Sequence, residues 1–378
     1  MTGTEAMTVA PTDLRTAREA LADTTGTVEV RGAGTATSWA GAQEPADIVL
    51  DTGKLTGVLA YNPADMTVAV RAGTPLLELQ AELAEQGQRV AFDPARVASG
   101  ATVGGLVATA DSGPLALAHG SMRDLVIGAT VVLADGTVAR TGGHVIKNVA
   151  GYDLAKLLHG SYGCFGLLAE IVLRLHPVAA ATATVRLDCG LNTAAEHART
   201  VLASAFEPVA LEWAEGILLT RVEGTEAGCE TRAGRLAELL GGSVLPEQEA
   251  LAAWKRHAAL VDEAVVRIGC RPSRLPGILA ASGGTAVAGL GTGIGTTAVP
   301  PEAVGAVHDA VTAVGGTSVT RRRSRSPGRA WGQRPSALRT LRDLRAALDP
   351  GGRLCRGRFD NWFTDEQSAP EFTEEATS

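Results

Sequence analysis

The sequence predicts an α+β protein of two domains. Short runs of β-branched and aliphatic residues, such as the run at 67–72, alternate with stretches of helical periodicity. The chain has 378 residues, which is more than one hydrophobic core usually supports. After residue 178 the pattern changes to a new series of strand and helix signals. We therefore expect a first domain at 8–178 and a smaller α+β domain at 181–360.

Local signals justify the elements of the first domain. Residues 11–21 have helical spacing, and Thr12 or Asp13 can serve as the N-cap. A second helix is predicted at 75–86, because its leucines fall on one face at positions 76, 79 and 83. Strands are predicted at 28–30, 48–50 and 67–72, and a hairpin at 125–139 around the turn Asp135–Gly136.

The second domain is predicted to contain a strand at 185–187 and helices around 194–204 and 232–240. The segment Leu275–Pro301 has no charged residue and is long enough to cross a bilayer. Its many glycines and prolines are more typical of strands and turns, so we expect two buried strands there. The tail at 366–378 is rich in Ser, Pro, Glu and Thr and is expected to be disordered.

Composition narrows the classes of function. The net charge is −7, which gives no general reason to expect a nucleic-acid partner. The first residues lack the apolar segment of a secretory signal, so the expected compartment is the cytoplasm. The five cysteines are widely spaced and form no Cys-x-x-Cys pair. We expect buried thiols, with no iron–sulfur cluster, structural zinc or other metal site.

A glycine-rich loop follows the strand predicted at 28–30. The loop is Arg31–Ser38, with the sequence Arg-Gly-Ala-Gly-Thr-Ala-Thr-Ser. Gly32 and Gly34 can bring successive N–H groups onto one anion, so the loop is a candidate phosphate site. A plain turn between two strands is the alternative. A second segment, 99–113, contains a Gly-Gly pair and is not expected to form an ordinary core helix.

Several blocks of the first domain occur in the order typical of one flavoprotein family. The blocks are Arg31–Ser38, Asp93–Pro94, Ala101–Gly105, Asp124–Ala129 with Leu133–Gly136, and Gly160–Gly166. Over about residues 8–178 the chain resembles the FAD-binding domain of the vanillyl-alcohol oxidase and p-cresol methylhydroxylase (PCMH) family. Within that family the block Val145–Leu154 looks most like the FAD-binding subunits of bacterial glycolate oxidases. The resemblance implies a PCMH-type FAD-binding domain of two subdomains, followed by an α+β substrate or cap domain.

The resemblance also implies that FAD is held largely by main-chain N–H groups. Carried over by position, the cofactor-binding residues would be Gly32, Ala33, Gly34, Thr35, Ser38, Pro94, Thr102, Gly104, Gly105, Thr109, Ser112, Gly113 and Ile171. Many members link FAD covalently through a histidine near the first loop, but Thr35 stands in that place here. Non-covalent FAD is therefore expected. Cys164 is a weaker candidate for a covalent link and is expected to serve packing.

Lys147 and Tyr152 are the candidate catalytic residues. They lie in the block Val145–Leu154, and oxidation of a 2-hydroxy acid needs a base and a cation for the carboxylate. The alternative is that Lys147 pairs with Asp153 while Tyr152 packs beneath the flavin ring.

The resemblance implies an FAD-dependent oxidoreductase acting on CH–OH groups. The expected form is the FAD-binding subunit of a glycolate oxidase or dehydrogenase complex, with a larger FAD-linked subunit and an iron–sulfur subunit as partners. The complex would bring the chain to the inner face of the cell membrane. The larger 2-hydroxy-acid dehydrogenases carry a histidine-rich motif that is missing after residue 181, which favours an electron-relay role. Two alternatives stay open: a self-sufficient FAD oxidase or dehydrogenase of another small alcohol or acid, and an assembly subunit without flavin.

A series of arginines remains outside this interpretation. It begins with Arg321–Arg325 and continues with Arg329, Arg334, Arg339, Arg342 and Arg345. No aromatic residue lies within Arg321–Arg325 and the rest of the chain is acidic, which argues against nucleic-acid binding. A solvated face is the default. The alternatives are a docking face for an acidic partner subunit, or a site for a substrate carboxylate if one arginine turns inward.

Overall fold

Two large sheets organise the chain, one in each half of the sequence. The structure is a computed structural model, and it describes residues 6–145, 153–323, 328–360 and 362–363. The first half contains β1 (Met7–Val9), α1 (Leu14–Ala22), β2 (Val28–Arg31), β3 (Ile48–Asp51), β4 (Val58–Asn62), β5 (Thr67–Arg71), α2 (Leu76–Ala84), β6 (Gln88–Arg89), α3 (Val103–Ala108), α4 (Ala116–His119), α5 (Met122–Leu125), β7 (Val126–Val132), β8 (Val138–Gly142), α6 (Ala155–Leu158), β9 (Leu167–Arg174) and β10 (His176–Pro177). The second half contains β11 (Ala181–Asp188), α7 (Leu191–Leu202), β12 (Ala210–Ala214), β13 (Ile217–Gly224), α8 (Glu226–Leu240), β14 (Ser243–Val244), α9 (Glu247–Glu263), β15 (Val266–Gly269), α10 (Leu275–Ser282), β16 (Thr285–Gly289), β17 (Ile294–Ala298), α11 (Val304–Ala313), β18 (Thr317–Thr320) and α12 (Leu338–Leu348).

The first half builds a small parallel sheet beside a larger antiparallel one. The parallel sheet has the order β1-β3-β2, and the antiparallel sheet has the order β4-β5-β9-β7-β8. Leu76, Leu79 and Leu83 of α2 are buried in the core of the larger sheet, as their spacing predicts. Asp13 caps α1 through Thr16, in agreement with the predicted helix start.

The second half is built on one eight-stranded sheet with helices on both faces. The strand order is β14-β11-β13-β12-β16-β17-β15-β18. Helices α7, α10 and α11 share one core on the first face. On the other face, Leu260 of α9 packs with Ala214 and Val287, and α9 also contacts residues 95–99 of the first half. The mixed helix and sheet architecture confirms the predicted α+β class.

The C-terminal part of the chain returns to the first half. Leu354 forms a parallel bridge with Val28 and is fully buried beside Leu50. The N–H of Cys355 donates to the carbonyl oxygen of Val28 at 2.8 Å. Leucines of α12 pack against the core of the antiparallel sheet. We propose 8–178 and 181–360 as the two domains, with the last part of the second domain packed on the first.

Two predicted segments differ from the structure. Leu275–Pro301 forms α10 and then the hairpin β16–β17, not two strands alone. The helix forms because Pro276 stands in its first turn, where no hydrogen bond from its nitrogen is needed, and Gly283 ends it at φ +68°. Residues 103–108 form the short buried helix α3, although no ordinary core helix was expected there.

Within the described ranges, no helix combines the length and the apolar character that a membrane span requires. The predicted disordered tail at 366–378 lies outside the described residues.

Candidate functional site

A deep cleft runs along the glycine-rich loop that follows β2. Residues 29–37 form one wall, and residues of α3 together with 161–163 form the other. The cleft encloses about 830 Å³, counted to its open mouth.

The glycine-rich loop presents N–H groups that bind nothing else in the described part of the protein. No hydrogen bond is donated there by the main-chain N–H groups of residues 32–36. Gly34 adopts φ +73°, a left-handed conformation that favours glycine. Arginines bind the carbonyl oxygens further along the loop, since Arg358 donates to Thr37 and Trp39, and Arg323 donates to the same two residues. The carbonyl oxygens of Thr37 and Trp39 are thus bound by arginines. The N–H groups of residues 32–36 remain free and form a concavity suited to an anion.

On the opposite wall of the cleft, Gly104 and Gly105 allow close packing and do not offer free N–H groups. The N–H of Gly104 donates to the carbonyl oxygen of Ala72 at 2.7 Å, and the N–H of Gly105 donates to Thr102 Oγ1 at 3.1 Å. A Cβ on Gly104 would lie 2.8 Å from the Cβ of Ala72, and a Cβ on Gly32 would lie 2.8 Å from Thr102 Oγ1. Both glycines therefore let the walls of the cleft approach each other closely.

A buried ion pair links this cleft to the second domain. Arg96 is 2% exposed and donates to Asp111 Oδ2 at 2.8 Å, to Thr35 Oγ1 at 2.8 Å and to Thr109 Oγ1 at 2.7 Å. Arg321 lies 3.8 Å from the same carboxylate. Burial alone would raise the pKa of Asp111, but the guanidinium groups of Arg96 and Arg321 outweigh it and hold the pKa below its usual value.

The indole of Trp39 lies between these two arginines. The guanidinium carbon of Arg96 is 4.3 Å from the ring centroid, and that of Arg321 is 4.0 Å away. Burial lowers the pKa of Arg321 to about 10, so this side chain stays charged at neutral pH.

A second cleft opens between the two domains. It encloses about 650 Å³ and is lined from the first domain by residues 111–114 and from the second by β12, α9, β15 and β17. Its polar lining residues are Asp93, Asp111, Ser112, Glu212, Arg221, His257, Arg267, Thr292, Thr296 and Arg321. The cleft therefore places charged groups from both domains around one space beside Ser112 and Gly113.

Two charged pairs line this inter-domain cleft. His257 Nε2 lies 3.2 Å from Glu212 Oε2, and both side chains are buried. Arg221 lies 3.5 Å from Asp93 Oδ2 and stacks over Trp254 at 4.1 Å. Burial raises the pKa of Asp93 to about 6 even though Arg221 opposes the shift.

The structure brings most of the predicted cofactor-binding residues to the two clefts. The first cleft is lined by Gly32, Ala33, Gly34, Thr35, Thr102, Gly104, Gly105 and Thr109, and the second by Ser112 and Gly113. Thr109 lines the first cleft and Asp111, two residues further along the chain, lines the second.

Three predicted positions lie elsewhere, and two cannot be placed. Ile171 is fully buried in β9 between Val70 and Ala129, which is a core position away from the clefts because β9 is a central strand. Ser38 Oγ donates to the carbonyl oxygen of Arg321, and Pro94 begins the turn at 95–99. Lys147 and Tyr152 lie outside the described residues.

The arginine series is only partly solvated: Arg322, Arg329 and Arg339 are exposed, whereas other members are buried or half-buried, which overturns the default of a solvated face for those members. Arg321 is 2% exposed, Arg342 donates to the carbonyl oxygen of Trp362, and Arg345 donates to that of Leu354. These guanidinium groups thus donate to main-chain carbonyl oxygens of the C-terminal part of the chain.

Cys164 packs as predicted. Its thiol is 1% exposed and lies 3.5 Å from the carbonyl oxygen of Cys355. Burial raises the pKa of the thiol to about 12, so no thiolate forms at neutral pH.

Sequence reasoning missed Arg96, Glu212, His257 and Arg267. A lone arginine in the small and apolar stretch 95–99 was a usable signal for Arg96. The other three belong to ordinary amphipathic strands and a helix, so no local pattern marks them. Among the described residues, no three His, Cys, Asp or Glu side chains come together as metal ligands would.

Comparisons with known proteins agree with this geometry. Residues 6–142 match the family described as "FAD binding domain". The chain is 36% identical over 192 residues to glycolate oxidase subunit GlcE of Escherichia coli, covering 51% of this chain and 54% of that subunit. It is 36% identical over 176 residues to the mitochondrial D-lactate dehydrogenase (cytochrome) of Arabidopsis thaliana, covering 47% of this chain and 29% of that enzyme. The chain thus spans about half the length of the first relative and less than a third of the second.

A solved structure, "alkyldihydroxyacetonephosphate synthase", shares the fold with a TM-score of 0.64. It is 15% identical and covers 91% of this chain and 76% of its own. The family match confirms the predicted FAD-binding domain and FAD as the cofactor, and the solved structure supports the predicted fold.

Proposed function

We propose that this chain, whose residues 6–142 match an FAD-binding domain, is an FAD-dependent oxidoreductase that oxidises the CH–OH group of a small 2-hydroxy acid. Its relatives support this choice, because they include a glycolate oxidase subunit and D-lactate dehydrogenases. The observation that carries the proposal is the inter-domain cleft beside Ser112 and Gly113, which three arginines line. A carboxylate substrate needs a cation there, and Arg221, Arg267 and Arg321 all line this cleft.

Bound FAD would supply the hydride acceptor for this oxidation. The residues of the first cleft would hold its pyrophosphate through the free N–H groups of residues 32–36. We propose non-covalent binding, because Thr35 stands where related proteins carry a linking histidine. The hydroxyl of Thr35 is also already bound by Arg96.

The remaining task of the protein is to bind the acid and to accept the hydroxyl proton. We keep Lys147 and Tyr152 as proposed catalytic residues on the strength of the sequence block that contains them. His257 is an additional candidate for the base, because Glu212 orients its ring and the pair lines the cleft.

We further propose that the chain acts as the FAD-binding subunit of a glycolate oxidase or dehydrogenase complex. Its partners would be a larger FAD-linked subunit and an iron–sulfur subunit that accepts the electrons. Similarity to GlcE supports the complex. The alternative of a self-sufficient oxidase or dehydrogenase is favoured by the three arginines of the chain's own inter-domain cleft. A flavin-free assembly subunit is disfavoured by the free N–H groups of the glycine-rich loop.

The visible spectrum of the purified chain tests these proposals. We expect a flavin spectrum, with the flavin released into the supernatant by acid precipitation. Anaerobic addition of glycolate or D-lactate then separates the alternatives. Bleaching without partner subunits indicates a self-sufficient enzyme, and bleaching only after the partners are added indicates a complex subunit. A colourless protein that takes up no added FAD would refute the proposal.

A further inference from the structure

Arg267 lies on the face of the eight-stranded sheet that lines the inter-domain cleft. It belongs to β15, where its neighbours Val266 and Ile268 are fully buried in the core beneath the helices of the opposite face. Side chains alternate along a strand, so Arg267 extends away from that core. In the adjacent strand β17 it is paired in register with Thr296, and both residues line the cleft. Directly paired residues in neighbouring strands present their side chains side by side on one face.

The side chains of Arg267 and Thr296 have no hydrogen-bond partner in the part of the chain that the structure describes. Within the described residues, the guanidinium group of Arg267 makes no hydrogen bond and no ion pair. The hydroxyl of Thr296 is in a residue only 4% exposed and also has no hydrogen-bond partner. Buried polar groups are nearly always paired, because an unpaired one loses its hydration without compensation. This argument applies to the buried hydroxyl of Thr296, and the half-buried guanidinium group of Arg267 stands beside it at the cleft, so the two donors together indicate a ligand that completes them.

The charges around the cleft determine which kind of ligand fits. Its carboxylates already have partners: Asp93 pairs with Arg221, Asp111 with Arg96, and Glu212 with His257. Arg267 makes no ion pair with any of these carboxylates, although its charge helps to lower the pKa of Asp111. A planar guanidinium group binds a carboxylate through two parallel hydrogen bonds, and the neighbouring hydroxyl can add a third.

We propose that Arg267 and Thr296 form the carboxylate-binding site for the substrate of this protein. The inference deepens the proposed function and rests on it, since it takes the ligand to be a small carboxylic acid. A second anionic group could compete for the same donors, namely the ring edge of a reduced flavin in the same cleft. The shared chemistry is an anionic oxygen acceptor, and the experiment distinguishes the two sources.

The experiment measures oxalate binding to the full chain loaded with FAD, by isothermal titration calorimetry. Oxalate is a small dicarboxylate that cannot be oxidised as a 2-hydroxy acid can. For Arg267→Met we expect the Kd for oxalate to rise about tenfold to hundredfold, the loss expected for hydrogen bonds to a charged group. For Thr296→Val we expect a rise of about two- to tenfold. The control Arg271→Met removes an exposed arginine four residues along the chain and should leave the Kd unchanged.

Two further measurements exclude a merely structural role. The unfolding temperature of Arg267→Met and Thr296→Val should equal or exceed that of the unmodified chain, because neither residue has a partner to lose. The midpoint potential of the flavin should stay unchanged in Arg267→Met. A lowered potential with unchanged oxalate affinity would assign Arg267 to the flavin ring and overturn the proposal.

The remaining outcomes separate this inference from the proposed function. If the chain binds oxalate through Arg267 but no 2-hydroxy acid reduces its flavin, with or without partners, the carboxylate site stands and the proposed function fails. If glycolate reduces the flavin and Arg267→Met leaves the oxalate Kd and the glycolate KM unchanged, the proposed function stands and the site is refuted. Failure of the unmodified chain to bind oxalate also refutes the site.

Discussion

Gly34 provides a direct test of how the glycine-rich loop binds the pyrophosphate of FAD. Its φ is +73°, and a Cβ added there would meet only the Cγ2 of Thr37 at 3.9 Å. Substitution at this position therefore changes the backbone preference of the loop without filling the cleft. Valine is the severe choice, because a left-handed conformation costs an L-residue about 1–2 kcal/mol and β-branching adds to the crowding. Asparagine is the mild choice, because it tolerates this region of backbone space.

The expected change in the Kd for FAD depends on whether the cost of the left-handed conformation is incurred on folding or on binding FAD. Without FAD, the loop of Gly34→Val can relax to an extended conformation and disperse its N–H groups. Binding must then restore the left-handed turn, so the cost is subtracted from the binding free energy. A loss of about 1–2 kcal/mol raises the Kd for FAD about 5- to 30-fold. For Gly34→Asn we expect a Kd within about threefold of the unmodified chain, because asparagine is enriched in this conformation.

The assay is titration of FAD into the apoprotein, followed by the quenching of flavin fluorescence. Gly87→Val is the matched control, since Gly87 has φ +64° and open space around it in the turn after α2. It should lower the unfolding temperature as Gly34→Val does and leave the Kd for FAD unchanged. Equal effects of Gly34→Val and Gly87→Val on that Kd would refute the reasoning, as would an asparagine variant as weak as the valine variant.

Three further predictions concern buried ionisable groups. Burial lowers the pKa of His308 from 6.5 to about 4. As the pH falls from 6.5 towards 4, the imidazole is therefore protonated in the unfolded chain before it is protonated in the folded one, and the free energy of unfolding decreases. At pH 5 this one residue should cost about 2 kcal/mol of unfolding free energy, and in urea titrations His308→Asn should show a correspondingly weaker pH dependence than His197→Gln. Arg96→Met leaves Asp111 buried without its closest cation and should lower the unfolding free energy by about 3–5 kcal/mol. Adding Asp111→Asn should restore part of the lost stability, and an Arg96→Met variant as stable as the unmodified chain would contradict the buried pair. At pH 8 a thiol reagent should modify Cys270 well before Cys164, whose pKa burial raises to about 12, and rapid labelling of Cys164 in the folded protein would show that its site opens.

The parts of the site that sequence predicted are built from neighbouring residues. Gly32, Gly34 and Thr35 line one cleft because a loop of consecutive residues forms its wall. The pair Gly104–Gly105 was also placed at this cleft, but the N–H groups expected to bind the cofactor are bound within the protein. Sequence indicates that glycine is needed at such a position. Whether glycine is needed there to leave an N–H group free or to let two segments approach closely depends on which residues lie opposite it in the folded protein.

Other predictions failed where packing outweighed local preference. The glycines of Leu275–Pro301 suggested strands, yet the first part is a helix because Leu275, Ile278 and Leu279 bury one face against the eight-stranded sheet. The arginine series suggested a solvated surface. Arg321 is instead enclosed beside Trp39 and Asp111, and neither neighbour is close to it in sequence.

By itself, the sequence determined the α+β class, the FAD-binding domain and the glycine-rich loop for which we propose pyrophosphate binding. Each of these depends on periodicity, or on the order of short motifs, and both are properties of neighbouring residues. Only the tertiary structure decided the inter-domain cleft, where Asp111 of the first domain meets His257 and Arg267 of the second. These side chains come from segments more than a hundred residues apart, and their meeting depends on how two separately formed sheets pack. It also decided which arginine stays unpaired, because pairing depends on distances between side chains that no spacing along the chain records.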